Sequence, residues 1–243
     1  MTTAPRDEFF RTIRQALGHP EGHTPAPSAT ALGRTRGDVD AGARHVREVM
    51  QRDAGPLLAQ LAETANQNGW KVLRAPSLDT AADYVRDVVR RLEARSAVRT
   101  AHDILNRMKL DLRLADTGVA LQVMAQGFGL DRAALRQKAI EADLGITGAD
   151  YAIAETGSCV LIPRQGVSRL ASLVPPVHVA VVERGQVLPS LDDLFTLRRD
   201  DFLSGNLGSY MNIISGPSRS ADIEYTLITG VHGPGEVHMV LMG

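Results

Sequence analysis

The run from Val177 to Val182 constrains the fold more than any other stretch of the chain. Apart from His178 it is apolar at every position. It lacks the alternation of a strand that shows one face to water, and so suits a strand covered on both faces. The rest of the chain supplies the cover. Helical periodicity marks residues 7–17 through Phe9, Phe10, Ile13 and Leu17. It marks 41–68, with a break expected at Gly55-Pro56 because proline lacks the donor and clashes with the preceding turn. It also marks 79–93, 102–108 and 131–142, the last with Asp131 placed as N-cap. Strand-like runs fall at 70–73, 97–100, 151–154, 158–162, 210–215, 225–228 and 236–241, and a helix is expected from 190 to 197. Helices interleaved with strands indicate an α/β sandwich.

At 243 residues the chain holds one domain or at most two. Residues 19–40 are rich in Pro, Thr and Ser and poor in large apolar side chains, too little to bury a core. The expected organisation is therefore a helix and linker over 1–40, flexible or packed as an arm on a neighbour, and one domain over 41–243. A helix on a tether could also exchange between subunits of a homo-oligomer.

Composition excludes several classes of function. The net charge is -1 and aromatics are 4%, which argues against a nucleic-acid partner. Arg86, Arg90, Arg91 and Arg95 read as a solvated helix face rather than a binding patch. The single cysteine, Cys159, makes no internal disulfide and cannot hold an iron–sulfur cluster, which takes about four thiolates. No apolar run reaches the roughly 20 residues of a membrane span. The N-terminus does not read as a signal peptide, so a cytoplasmic location is expected.

Four polar segments interrupt the apolar runs at their ends, where ligand loops lie in open α/β sheets. In the first, Glu155, Thr156, Gly157 and Ser158 break an apolar stretch. Glu155 reads either as a nucleophile, base or anchor beside two hydroxyl donors, or as an exposed hairpin residue next to a glycine turn. In the second, Pro175 and Pro176 lead into His178, which reads more readily as a core histidine than as a ligand. The third holds Ser215, Gly216, Pro217, Ser218, Arg219, Ser220, Asp222 and Glu224. Small residues exposing N–H groups beside a fixed charge suit an anion, although no P-loop ending is present. The alternative there is a serine cap with Arg219 paired to Asp222. The fourth places His232 in a glycine-rich turn from Gly230 to Gly235. Glu155, His178, Asp222, His232 and His238 have no metal-ligand spacing, so no metal is expected. No Gly-x-Ser-x-Gly elbow supports a serine triad.

Taken together these segments resemble the LUD-domain family. The residues that carry the resemblance are Ala154 to Ser158 (AETGS), Leu173 to Val181 (LVPPVHVAV), Ser215 to Glu224 (SGPSRSADIE) and Gly230 to Pro234 (GVHGP). It covers 147–243 closely and 41–243 loosely. Ser158 stands where the family commonly has threonine, and 105–130 matches nothing that can be aligned. The resemblance implies a three-layer α/β/α sandwich with a mixed sheet, like the ribose-5-phosphate isomerase and CoA-transferase fold. It implies a part in oxidising L-lactate to pyruvate beside two partner proteins that carry iron–sulfur clusters, with no cofactor in this chain. On that reading Glu155 and His232 are catalytic candidates. Thr156, Gly157, Ser158, Ser215, Gly216, Ser218, Arg219, Asp222, Glu224 and His178 are substrate-binding candidates, and Arg219 would take the carboxylate of a small acid. A stand-alone enzyme acting on a sugar phosphate or acyl-CoA through Glu155 is the alternative. A domain that only assembles or regulates its partners is a third.

Overall fold

The computed structural model describes residues 5–18, 33–125, 131–206, 208, 210–221 and 227–243. The chain divides into two compact units, Met1–Asp38 and Val39–Gly243. The first contains α1 (Pro5–Ala16). Its Phe9, Phe10 and Ile13, and Leu17 just beyond it, are all exposed. Of the expected linker, residues 19–32 lie outside the described residues, while 36–40 form the start of α2 (Arg36–Arg52). Thr35 caps that helix: Asp38 N–H reaches Thr35 Oγ1 at 3.2 Å, and the Asp38 carboxylate accepts from Thr35 N at 2.9 Å.

In the larger unit α2 stops at Arg52, and α3 (Ala54–Gln67) begins so that Pro56 falls in its first turn, where no donor is needed. There follow β1 (Lys71–Ala75), α4 (Leu78–Arg91), β2 (Ser96–Arg99), α5 (Asp103–Arg107), α6 (Leu110–Arg113), β3 (Ala120–Val123), α7 (Arg132–Ile140) and β4 (Leu144–Gly148). Next come β5 (Tyr151–Ile153), β6 (Ser158–Leu161), α8 (Leu170–Leu173), β7 (Val177–Glu183), β8 (Val187–Leu188) and α9 (Leu191–Leu203). The chain ends through β9 (Asn212–Ile214), β10 (Arg219–Ala221), β11 (Leu227–Thr229) and β12 (Glu236–Met242).

Six strands form one sheet in the order β1-β12-β7-β4-β2-β3, and every pairing in it is parallel. A second sheet runs β8-β5-β6-β9 and mixes parallel with antiparallel pairs. The mixed pairing and the α/β/α layering are thus both present, divided between two sheets. Of the 105–130 stretch, which aligns with nothing in the resemblance, residues 105–125 hold the end of α5, α6 and the edge strand β3, and 126–130 lie outside the described residues.

The β7 run is central, and its alternate residues serve opposite faces. Val179 and Val181 join Val85, Val88, Val89 and Leu105 under α4 and α5. Ala180 and Val182 join Leu57, Leu58 and Leu61 of α3 and, beyond them, Ala152 and Cys159 of the second sheet. Each buried Val or Leu among them contributes roughly 1.5–3 kcal/mol. The far side of the second sheet is closed by α2 and α9, through Val46, Met50, Leu194 and Leu197. Under β2, Val98 packs with Leu135 and Ala139 of α7 and Ala171 of α8. No helix among the described residues is long and apolar enough to cross a membrane.

Candidate functional site

Three of the four polar segments converge on the last turn of α3 and the amino ends of β1, β7 and β12. The β5–β6 hairpin turns through residues 154–157, and Gly157 takes φ +60. A Cβ there would lie 2.6 Å from the Ala65 nitrogen, so only glycine lets this turn seat on the helix. Two side chains of α3's end hold it. Thr64 Oγ1 donates to the Ala154 carbonyl at 2.7 Å, and Asn68 Nδ2 donates to the Thr156 carbonyl at 2.7 Å. A string of hydroxyls joins the hairpin to the loop after β9: Thr156 Oγ1 to Ser158 Oγ at 2.8 Å, then Ser158 Oγ to Ser215 Oγ at 2.7 Å. Ser158 is fully buried and Ser215 exposed, so the string runs from core to surface. Past Gly216, Arg219 Nη2 returns to α3 and donates to the Asn68 carbonyl at 3.0 Å.

The fourth segment locks to the third through the backbone. Ser218 N donates to the Pro234 carbonyl at 2.8 Å, and Gly230 N donates to the Ser218 carbonyl at 2.9 Å. Gly235 N reaches the Pro176 carbonyl at 3.0 Å, which ties the turn to the entry of β7. His232 is exposed at the tip of this turn, and Arg219 is exposed on β10. The geometry therefore offers a guanidinium with one N–H on Asn68, an exposed hydroxyl on Ser215, and an exposed imidazole on a turn pinned to the same strand pair.

Two candidates stand apart. Glu155 is exposed, and its Oε2 accepts the Leu191 N–H at 3.2 Å in the first turn of α9. That is a favourable place for an anion. His178 is fully buried, with Nε2 3.0 Å from Thr147 Oγ1 and its ring 6.1 Å from the Trp70 ring. Burial, with His238 adding to it, pushes its pKa down to about 3. Asp222 and Glu224 lie outside the described residues. Among the described residues no three His, Cys, Asp or Glu side chains gather as a metal site would require.

A further polar group stands at the amino ends of β1 and β12. Glu236 accepts from Lys71 at 3.0 Å, from Arg91, and from His238 Nε2 at 2.6 Å; His238 Nδ1 meets Tyr84 OH at 2.7 Å. Burial pushes the Glu236 carboxyl up, but these three donors outweigh it and hold the pKa at about 2.

Thr64 and Asn68 escape a reading of the sequence, because polar residues late in an amphipathic helix look like solvated surface. The one available signal is Asn68 immediately before Gly69, the glycine that ends the helix.

A family profile described as the LUD domain matches residues 58–242. Lactate utilization protein C of Halalkalibacterium halodurans is 44% identical over 101 residues, 41% of this chain and 44% of that protein. Lactate utilization protein B of Bacillus subtilis is 24% identical over 246 residues, 81% of this chain and 50% of that protein. The chain thus spans about half the length, or less, of these curated relatives. A crystal structure of a DUF162 family protein from Deinococcus radiodurans superposes with a TM-score of 0.52 at 18% identity, covering 78% of this chain and 98% of that one. At that identity the likeness speaks for the fold alone.

Proposed function

The chain belongs to the LUD domain family, and from that premise we propose that it serves lactate utilisation as the cluster-free subunit of an iron–sulfur protein assembly that oxidises L-lactate to pyruvate. The observation that carries this reading is the similarity to proteins named for lactate utilisation, of both the C and the B kind. The cysteine supports it. Cys159 is the one cysteine of the chain and is fully buried, and burial pushes its thiol up to about 12. It is no thiolate at neutral pH, which supports the reading that the clusters are carried by two partner proteins.

This chain's own part is to hold a small carboxylate and receive a proton. Among the described residues Arg219 bonds the Asn68 carbonyl through Nη2, and its exposed guanidinium can offer a carboxylate a forked pair of bonds. Ser215 lies at the outer end of the hydroxyl string and can hydrogen-bond the substrate hydroxyl. His232 is the exposed base for the hydroxyl proton. The Cα–H bond breaks with loss of its hydrogen as a proton to solvent, and the two electrons of the oxidation pass to clusters on the partners. Glu155 serves this site by holding the hairpin turn against α9.

The test is growth on lactate of a strain carrying Arg219→Ala, joined to a tagged pull-down from lactate-grown cells. We expect growth on lactate to be lost and the purified variant to melt as the parent does. The parent's eluate should be brown and contain cysteine-rich partners. Normal growth of the variant would remove Arg219 from the site. A colourless eluate without such partners would count against the assembly.

A further inference from the structure

The motif loops gather at the amino ends of the parallel sheet, and the opposite edge has its own architecture. In the order β7-β4-β2-β3 the chain leaves β2 toward β3 and leaves β4 toward β7, so the connections of two adjacent strands part in opposite directions. In open α/β sheets the crevice beyond the carboxyl ends of such a pair is where a ligand fits.

A cavity of about 1350 Å³ lies beside that crevice at the carboxyl end of β3, between Met124 just past β3, the α7 helix, and the segment from Pro163 to Leu170, whose Gly166 carbonyl accepts the Ala101 N–H just past β2. Arg132, Arg136, Arg164 and Arg169 all line it, and among the described residues no Asp or Glu does. Acidic residues outnumber basic ones over the whole chain, 28 to 27, so this concentration of one sign is local. Arg164 is anchored by Asp150 at 2.7 Å. Asp150 in turn accepts the Ile162 N–H at 2.6 Å and stands 3.7 Å from His102 Nε2, in the loop after β2. Arg169 lies over the Tyr210 ring, 4.9 Å from its centroid. Arg132 and Arg136 sit one turn apart on α7, exposed and without an acidic partner among the described residues. Met124, Leu135, Ile140 and Leu170 supply an apolar wall.

We infer that this cavity binds an organic phosphate, with two or more phosphate groups on an apolar or aromatic body. Among the described residues only Arg164 of the four guanidiniums is neutralised by a carboxylate, so a concave surface holds a concentrated positive potential. The planar guanidinium fork matches phosphate oxygens in pairs. A monocarboxylate of lactate's size would engage one arginine and leave the others unmatched. Pockets for drug-sized ligands run to about 1,000 Å³, so this one has room for a body as well as its charges.

The test is calorimetric titration of the full chain with ADP, with inorganic pyrophosphate, and with L-lactate as the small-acid comparison. We expect ADP to bind more tightly than pyrophosphate, lactate to show no binding here, and the ADP affinity to fall as salt rises. Arg132→Gln combined with Arg136→Gln should weaken ADP by about tenfold or more. Arg44→Gln, a surface arginine on α2, should not. Both substituted α7 residues are exposed, and an unchanged melting curve would show that the fold is kept. No binding of ADP or pyrophosphate at millimolar concentration, or an affinity that the double substitution leaves unchanged, would overturn the site. ADP binding no tighter than pyrophosphate would overturn the apolar or aromatic body.

Discussion

His178 shows what burial does to a titratable side chain. It is fully enclosed, its Nε2 meets Thr147 Oγ1, and Nδ1 has no partner among the described residues. The folded protein therefore holds it neutral, with the pKa pushed down from 6.5 to about 3 by burial and then by His238. The unfolded chain takes up the proton first as pH falls. The stabilising contribution is thus complete above the ordinary histidine value and is lost as pH drops from there toward the folded value. One proton gives a slope of about 1.4 kcal/mol per pH unit. His178→Gln keeps an amide for the Thr147 hydroxyl and removes the titration. Urea unfolding of parent and variant at pH 7.5, 5.5 and 4.5 should show the parent losing stability faster between the last two, by about that slope. Equal slopes would mean that the histidine is not held neutral in the fold. Glu236, facing Lys71, Arg91 and His238, adds an acid-sensitive contribution that is the same in both proteins.

Elements were legible where local chemistry and tertiary packing agree. Asp131 reads as an N-cap from its place before an apolar period, and in the fold its carboxylate accepts the Ala134 N–H at 2.8 Å. Asp131→Ala should cost about 1 kcal/mol, within the usual range for a lost cap. The measurement is a shift in denaturation midpoint at unchanged slope, and a neutral result would mean that α7 is held by packing alone. The strands that escaped reading are those whose sequence is set by a neighbour. In β4 (Leu-Gly-Ile-Thr-Gly) the glycines hide a fully buried strand. Gly145 is required by α8, because a Cβ there would lie 1.7 Å from the Ala171 carbonyl oxygen. No local pattern reports a helix that packs from 25 residues further on. The edge strand β3 has four residues and no clear alternation. The hairpin and its glycine were visible as a polar interruption. Their seat on Thr64 and Asn68 was not, since it joins residues 88 and 90 positions apart.

At the scale of the whole molecule, sequence motifs marked one edge of the sheet and left the other unmarked. Residues 154–158, 215–219 and 230–235 are contiguous runs and stand out as such. The four arginines of the opposite edge are scattered over 38 positions of sequence, from Arg132 to Arg169, and each alone reads as solvated surface. The division of the chain is a matter of the same scale. Among the described residues the buried apolar side chains begin at Val39, and every buried member of the four apolar clusters lies at or beyond it. Deleting residues 1–32 keeps the Thr35–Asp38 cap of α2 and all of those clusters. The shortened chain should then unfold at the parent's midpoint in thermal melts followed by circular dichroism, since the buried area that sets stability is intact. A lower midpoint that depends on protein concentration in the parent alone would assign the exposed Phe9, Phe10, Ile13 and Leu17 to an interface between copies. A lower midpoint independent of concentration would mean that the N-terminal unit stabilises its own domain, and the boundary near residue 39 would not separate independently stable parts.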